Sequence, residues 1–290
     1  MKKQRIAIIG AGPSGISCAI QLKRFGFEPF LVEKDSVGGL LLQANCVENY
    51  PGFPGGISGA KLATYFKKQL EEYSIKVHSM EVCKLNTCNG GFLLDTNQGT
   101  IETEIAVIAS GTEPKRMNVY TEDAAKNMFY DVRSLRTIKE KDIAIVGGGD
   151  AAFDYALGLS SNNSVRILVR KTTCSCLPLL YKRAEKNSRI SIISKTSIKA
   201  IEENNGKLRL RIDANGDSCI CVDYILFAIG REPSVSFLSG KLLSVFKNVT
   251  CVRNLYFIGD VVGGLHRQVG IAVGDGLRTA MEIHKEAKRR

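Results

Sequence analysis

After a short polar start, the chain opens on four consecutive apolar residues, Ile6, Ala7, Ile8 and Ile9. A run this short, bounded by turn residues, predicts a strand buried on both faces, as in a parallel sheet. Gly10, Gly12 and Gly15 follow at once. Residues 16–25 then show helical periodicity, with Ile16, Ile20, Leu22 and Phe25 on an apolar face and Gly26 as the stop. Residues 29–32 predict a second strand, which ends at Glu33. Helical spacing returns over 61–73, and short strands are expected at 75–77, 82–85 and 91–95, with Asn89-Gly90-Gly91 as the turn between the last two. Residues 47–55 are too rich in turn formers for a regular element, and long irregular loops inside compact domains are usually functional. Residues 104–109 form another buried strand, ending before Gly111.

The pattern then repeats. Residues 142–147 match residues 5–10, and Gly147-Gly148-Gly149-Asp150-Ala151-Ala152 has GxGxxA spacing. A helix is expected over 153–159 and a strand over 165–169, and residues 223–233 mirror residues 104–114. A further buried strand at 255–258 ends at Gly259-Asp260, after the second copy is complete, so the chain is expected to return to its first domain. Residues 270–284 predict a closing helix that opens on the small residues Gly270, Ala272 and Gly274. An internal repeat of this kind carries more information than either motif alone. The expected fold is α/β, with two Rossmann-like dinucleotide-binding domains (three-layer ββα), the second inserted into the first. Residues 1–113 and 235–290 would form the first domain, and residues 114–234 the second with its connecting segments.

The glycines explain what such a loop binds. Gly10 permits a tight turn, Gly12 lets backbone approach a pyrophosphate, and Gly15 lets the next helix pack close to the strand. The N–H groups at the helix start would face the phosphates. Glu33 lies about 20 residues beyond the glycines, where a dinucleotide site places the acid that accepts from a ribose 2′-OH. The second copy has Arg170-Lys171 at the equivalent place. A cationic pair suits a 2′-phosphate and points to NADP(H); a solvated basic strand end is the alternative.

Composition narrows the remaining classes. A chain of 290 residues with 44% hydrophobic content is long enough for two domains with real cores. No apolar run approaches the roughly 18 residues of a membrane span, and no signal-peptide pattern opens the chain, so a cytoplasmic protein is expected. The nine cysteines are odd in number and include no Cys-x-x-Cys pair, and there are three histidines, so neither a disulfide framework nor a metal site is expected. The net charge of +11 suits anionic cofactors or an acidic protein partner. No nucleic acid is expected.

Gly10-Ala11-Gly12-Pro13-Ser14-Gly15, Gly38-Gly39, Glu48-Asn49-Tyr50-Pro51-Gly52-Phe53, Gly147-Gly148-Gly149-Asp150, Gly259-Asp260 and Arg267-Gln268-Val269 together resemble the flavoprotein pyridine nucleotide oxidoreductases, and within them the thioredoxin reductase-like group. The resemblance covers nearly the whole chain. It implies FAD in the first domain, on Gly10, Gly12, Pro13, Ser14, Gly15, Glu33, Lys34, Gly39, Leu40, Asn49, Val82, Gly111, Gly259, Asp260, Arg267, Gln268, Val269 and Ala272. It implies a nicotinamide nucleotide in the inserted domain, on Gly147, Gly149, Asp150, Ala151, Arg170, Lys171 and Gly230. A homodimer is implied too. Asp260 would serve the ribityl and pyrophosphate region, and Arg267 to Val269 would lie along the isoalloxazine.

Two departures bear on function. Thioredoxin reductases carry a Cys-x-x-Cys shortly before the second glycine motif, where this chain has Tyr130-Asp131-Val132-Arg133. Residues 129–132 and 154–156 are closer to the ferredoxin–NADP⁺ reductases built on the same plan, which implies a possible acidic electron-transfer partner such as ferredoxin. The family's NADPH site usually reads His-Arg-Arg with another arginine beyond, whereas here Val169-Arg170-Lys171 is followed by no arginine before Arg183. NAD(H), or a donor other than a nicotinamide, therefore stays open.

The sequence assigns no catalytic side chain; the flavin carries the chemistry. Cys46, in the loop expected near the flavin, and the pair Cys174 and Cys176 are the candidate thiols, with ordinary packing as the alternative; Cys219 and Cys221 are expected to pack on a strand. His266 is a candidate proton shuttle or a structural histidine. The leading expectation is an FAD-dependent NAD(P)H oxidoreductase with no active-site disulfide. The alternatives are a disulfide reductase using other cysteines or another electron donor, and a non-catalytic flavin-binding sensor.

Overall fold

The computed structural model describes residues 5–213 and 217–289. Two compact units divide the chain, one of residues 1–42, 47–113 and 232–290, the other of residues 43–46 and 114–231.

The first unit begins with β1 (Ile6–Ile9), α1 (Pro13–Arg24) and β2 (Pro29–Glu33). It continues through α2 (Gly59–Glu72), β3 (Val77–Ser79), the meander β4 (Val82–Cys88), β5 (Gly91–Thr96) and β6 (Gly99–Thr103), then β7 (Ile105–Ile108) and β8 (Thr112–Pro114). The second unit holds β9 (Met128–Phe129), β10 (Asp142–Val146), α3 (Asp150–Leu159), β11 (Ser164–Leu168), α4 (Pro178–Glu185) and β12 (Ile190–Ile193). Its own meander is β13 (Ser197–Asn204), β14 (Lys207–Asp213) and β15 (Asp217–Val222), followed by β16 (Tyr224–Phe227). The chain leaves through β17 (Arg231–Pro233) and adds α5 (Gly240–Lys247), β18 (Leu255–Phe257) and α6 (Val269–Ala287) to the first unit. The two crossing strands, β8 and β17, pair with each other.

Each unit is a five-stranded parallel sheet, ordered β18-β7-β1-β2-β3 in the first and β12-β11-β10-β16-β9 in the second. Alternation along the central strands builds two cores per sheet. In the first unit Ile6 and Ile8 face α1 and α6, packing with Ile16, Leu22 and Ile283, while Ala7 and Ile9 face the meander with Leu85, Phe92 and Leu94. In the second, Ile143 and Ile145 pack with Phe153 and Leu159, while Ala144 faces Leu208, Leu210 and Ile212 of the other meander. Burying one such Ile or Leu contributes roughly 1.5–3 kcal/mol, and the pattern demands hydrophobes on both faces, which is why β1 and β10 read as unbroken apolar runs. This is the three-layer ββα arrangement, made twice.

Several bounds differ from the sequence reading. The strand expected at 75–77 begins at Val77, and the closing helix opens at Val269. Cys219 and Cys221 lie on the solvent side of β15, because Ile220 between them turns to the core. No helix among the described residues is long and apolar enough to cross a membrane.

Candidate functional site

In the first unit β1 ends at Gly10, whose φ of 109° turns the chain sharply. A Cβ on Gly10 would sit 2.3 Å from the Ala109 carbonyl oxygen, and one on Gly15 would sit 1.9 Å from the Gly10 carbonyl oxygen. These two glycines are required by close packing. Gly12 is different: nothing lies within 4 Å of its Cβ position, and as the N-cap of α1 it offers no capping side chain. Gly12 thus leaves room beside the start of α1, with Pro13 at the first turn where its missing N–H costs nothing.

Other elements converge on this loop. Gly38 donates its N–H to the Ala11 carbonyl at 2.8 Å, bringing Gly39 opposite Gly12, with 3.5 Å between the Gly39 Cβ position and the Gly12 Cα. Glu33 accepts from the Ala11 N–H at 2.7 Å through one carboxylate oxygen and from the Asp35 N–H at 2.9 Å through the other. Gly259, at φ 73°, has its Cβ position 2.4 Å from the Ser14 hydroxyl oxygen and 3.7 Å from the Ala272 methyl. Asp260 follows in a short 3-10 turn, Val269 opens α6, and Gln268, its N-cap, accepts from the Asn49 amide at 2.9 Å. Gly111, at φ 65°, has open space at its Cβ position and accepts from the Ser234 N–H at 3.0 Å. Leu40 sits half-buried in the 3-10 turn after Gly39, and Arg267 is half-buried just before α6.

Two members of the expected FAD set stand apart. Val82 is buried in the core beneath the meander, and Lys34 is exposed and pairs with Glu81 at 3.4 Å. Two residues escaped the sequence reading. Asp275 accepts from the Gly259 N–H at 3.2 Å, and Gly276 brings α6 onto α1 so closely that a Cβ would be 2.3 Å from the Ser14 carbonyl oxygen. Of the small residues expected to matter at the start of α6, Gly270 and Gly274 have nothing within 4 Å of their Cβ positions.

The second unit contains a cavity of about 870 Å³, large for a small-molecule site. The Gly147–Ala151 loop lines it, with Arg170 and Lys171 at the end of β11 and Gly230 across the sheet. Gly147, at φ 151°, has its Cβ position 2.4 Å from the Ala228 carbonyl oxygen. Gly149 caps α3 with no side chain, as Gly12 caps α1. Asp150 opens α3, and its carboxylate accepts from the Leu177 N–H at 2.7 Å. Arg170 and Lys171 are exposed, and among the described residues neither forms an ion pair.

None of the nine cysteines is in a disulfide. Cys174 and Cys176 flank Ser175, whose N–H donates to the Gly148 carbonyl at 2.8 Å. Burial, then the neighbouring Cys174 and Asp150, push the Cys176 thiol up to about 11, so neither sulfur is an activated thiolate. Cys46 is half-buried, and its N–H donates to Asp154 at 3.2 Å. His266 is exposed.

Residues 130–133 are fully engaged. The Tyr130 ring stacks on Phe227 at 4.9 Å under the Arg116 guanidinium at 4.4 Å, and its hydroxyl oxygen accepts from the Met117 N–H at 3.0 Å. Asp131 caps the next turn by accepting from the Arg133 N–H at 2.8 Å and pairs with the Arg133 guanidinium at 2.6 Å, while Val132 is buried.

The glycine-lined openings at both helix starts, with Glu33 beside the first and two cations without an ion pair among the described residues beside the second, fit one dinucleotide each. Residues 4–281 match the family model described as pyridine nucleotide-disulphide oxidoreductase. The chain is 29% identical to "Thioredoxin reductase 1" of Saccharomyces cerevisiae, over 98% of each chain. Among solved structures, it superposes on the T. acidophilum thioredoxin reductase with a TM-score of 0.87 at 25% identity, covering 99% of each chain. It superposes on the Lactococcus lactis thioredoxin reductase, FR conformation, with a TM-score of 0.89 at 23% identity, covering 98% of each.

Proposed function

The chain belongs to the pyridine nucleotide-disulphide oxidoreductase family, and on that premise we propose that it oxidises NADPH through FAD and delivers the electrons to an external acceptor without a redox disulfide of its own. The family's thioredoxin reductase-like members are FAD-dependent enzymes that use NADPH. FAD, when bound, accepts a hydride from the reduced nicotinamide and yields its electrons to the acceptor. The protein's part is to bind and orient. Gly12 and Gly39 form the opening for the FAD pyrophosphate, with the α1 N-terminus directing N–H groups at it. Glu33, fixed by two backbone N–H groups, keeps lone pairs for a ribose hydroxyl. In the second unit Gly147 and Gly149 open the start of α3 to the second pyrophosphate, and Arg170 with Lys171 carry the charge for a 2′-phosphate.

One observation carries the missing disulfide. Residues 130–133 contain no sulfur, and each of their side chains is held by packing, a cation–π contact or an ion pair. The relatives found are thioredoxin reductases, which favours a disulfide-bearing acceptor over an iron–sulfur one. The +11 charge supports an acidic partner of either kind. A homodimer is part of the proposal, and the apolar Ile271, Leu277 and Met281 exposed along α6 would suit a second copy.

The test is anaerobic mixing of the flavin-loaded protein with NADPH and with NADH. Bleaching of the flavin band by NADPH is expected; bleaching by neither donor would remove the nicotinamide from the proposal. The triple variant Cys46→Ser, Cys174→Ser, Cys176→Ser is expected to bleach as fast as the parent and to keep turnover with a thioredoxin-type disulfide. Loss of that turnover would show that the chain's own thiols carry electrons.

A further inference from the structure

We propose that Lys195, on the turn between β12 and β13, is the third cation recognising the 2′-phosphate of NADPH; this rests on the NADPH reading above. Arg170 and Lys171 stand at the end of β11, and no further arginine follows them before Arg183. The neighbouring strand supplies what the local sequence does not. The turn after β12 folds back onto the end of β11, where Thr196 donates its N–H to the Val169 carbonyl at 3.0 Å and Lys195 donates its N–H to the Lys171 carbonyl at 3.2 Å. Thr196 is buried, its hydroxyl donates to the Ser194 carbonyl at 3.0 Å, and Thr196 and Ser197 line the same cavity as Arg170 and Lys171.

The turn holds Lys195 at φ 53°. A non-glycine residue in this left-handed region costs about 1–2 kcal/mol, so its surroundings must hold it there. The Lys195 side chain is exposed, and among the described residues Arg170, Lys171 and Lys195 have no carboxylate in ion-pair range. The next lysine on β13 is spent differently: Lys199 pairs with Asp213 at 3.2 Å. Three cations on adjoining backbone, with no acid to neutralise them, suit a dianionic phosphate. The 2′-phosphate is the only group by which NADPH differs from NADH, so Lys195 acts on cofactor choice.

The experiment titrates the flavin-loaded protein with adenosine 2′,5′-bisphosphate and with adenosine 5′-monophosphate by calorimetry, which needs no turnover. The parent is expected to prefer the bisphosphate. Lys195→Gln should weaken the bisphosphate roughly five-fold, the scale of one exposed ion pair, and leave the monophosphate unchanged, and Lys195→Arg should restore the parent's preference. Lys199→Ala removes the same formal charge four residues away and should change neither ligand. A parent preference unchanged by Lys195→Gln would overturn the assignment of Lys195 while leaving NADPH as donor. Equal weakening by Lys199→Ala would also overturn it, since the effect would then be general charge. A parent with no preference between the two ligands would overturn both the assignment and the NADPH reading.

Discussion

The two halves of the molecule execute one plan with different tolerances. In the first unit the third glycine of the motif is Gly15, and a methyl there would lie 1.9 Å from the Gly10 carbonyl oxygen. In the second unit the same place is Ala152, whose methyl lies 3.3 Å from the Gly147 Cβ position, so α3 stands off far enough to carry a side chain. The roofs differ too. Gly259 and α6 close over the first loop, with Gly276 lying on the Ser14 carbonyl, whereas the second is capped by Ser175 and Leu177 bonded to Gly148 and Asp150. Protein atoms pack closely on the first loop at Gly10, Gly15 and Gly259, whereas the second loop lines a cavity of about 870 Å³. A tight cradle suits a cofactor that stays, and an open one suits a cofactor that exchanges at every turnover.

The sharpest way to break this contrast is to equalise the third position. Gly15→Ala is expected to cost about 3 kcal/mol, the upper end of the overpacking scale, because the crowded atom is backbone. It should appear in urea unfolding as a much lower midpoint and in purification as protein without flavin. The reverse change, Ala152→Gly, should cost about 1 kcal/mol, from helix propensity alone. Similar losses for the two variants would mean that the loops are equally tight.

The second glycine should separate the two cofactors. Gly12→Ala and Gly149→Ala each add a methyl where no protein atom crowds it, Gly149 having only the Ser175 hydroxyl at 3.8 Å. Stability should change by less than ~1 kcal/mol in either case. Flavin content, read as the ratio of visible to 280 nm absorbance, should fall for Gly12→Ala only. Affinity for NADP⁺ should fall at least ~10-fold for Gly149→Ala only, about 1.4 kcal/mol. A variant that loses both cofactors would join the two sites and end the division of labour.

Much of this architecture was legible in the sequence because a doubled pattern is hard to mistake. The paired runs at β1 and β10, the glycines after them and the acid or cations at the next strand end all rest on local sequence. What escaped is long-range or was hidden by the repeat. β14 alternates perfectly, with Leu208, Leu210 and Ile212 inward, and the Asn205-Gly206 turn precedes it, yet its meaning as the second meander depends on partners far along the chain. Gly276 and Asp275 read as ordinary helix positions until α6 is laid on α1. The turn that holds Lys195 is set by hydrogen bonds to a neighbouring strand, which no spacing rule reports.

Equivalent helix positions offer a pH test of the same comparison. Counting from the third motif residue, Cys18 in α1 corresponds to Tyr155 in α3, and burial raises both, each to about 12. A raised pKa means that the folded state keeps its proton longer, so stability is intact below the unfolded pKa and falls as pH rises toward the folded value. The loss should begin near pH 9 for Cys18 and near pH 10 for Tyr155, at about 1.4 kcal/mol per pH unit for each. Urea unfolding at pH 8, 9.5 and 11 should show Cys18→Ala flattening the fall from pH 9 onward, and Tyr155→Phe flattening it only above pH 10. Parallel curves for parent and both variants would mean that neither group stays neutral in the fold.

The smallest expected effect concerns the cation after each strand-end residue. Lys34 follows Glu33 as Lys171 follows Arg170, but Lys34 is exposed and already paired with Glu81 at 3.4 Å. An exposed pair of this kind contributes about 0–1 kcal/mol and weakens further in salt. Lys34→Ala should therefore shift stability by less than ~0.5 kcal/mol and leave flavin content unchanged, whereas Lys171→Ala should leave stability unchanged and weaken NADP⁺ binding with a marked dependence on ionic strength. Loss of flavin from Lys34→Ala would mean that Lys34 leaves Glu81 for the bound cofactor, and the first cradle would then bind by charge as the second does.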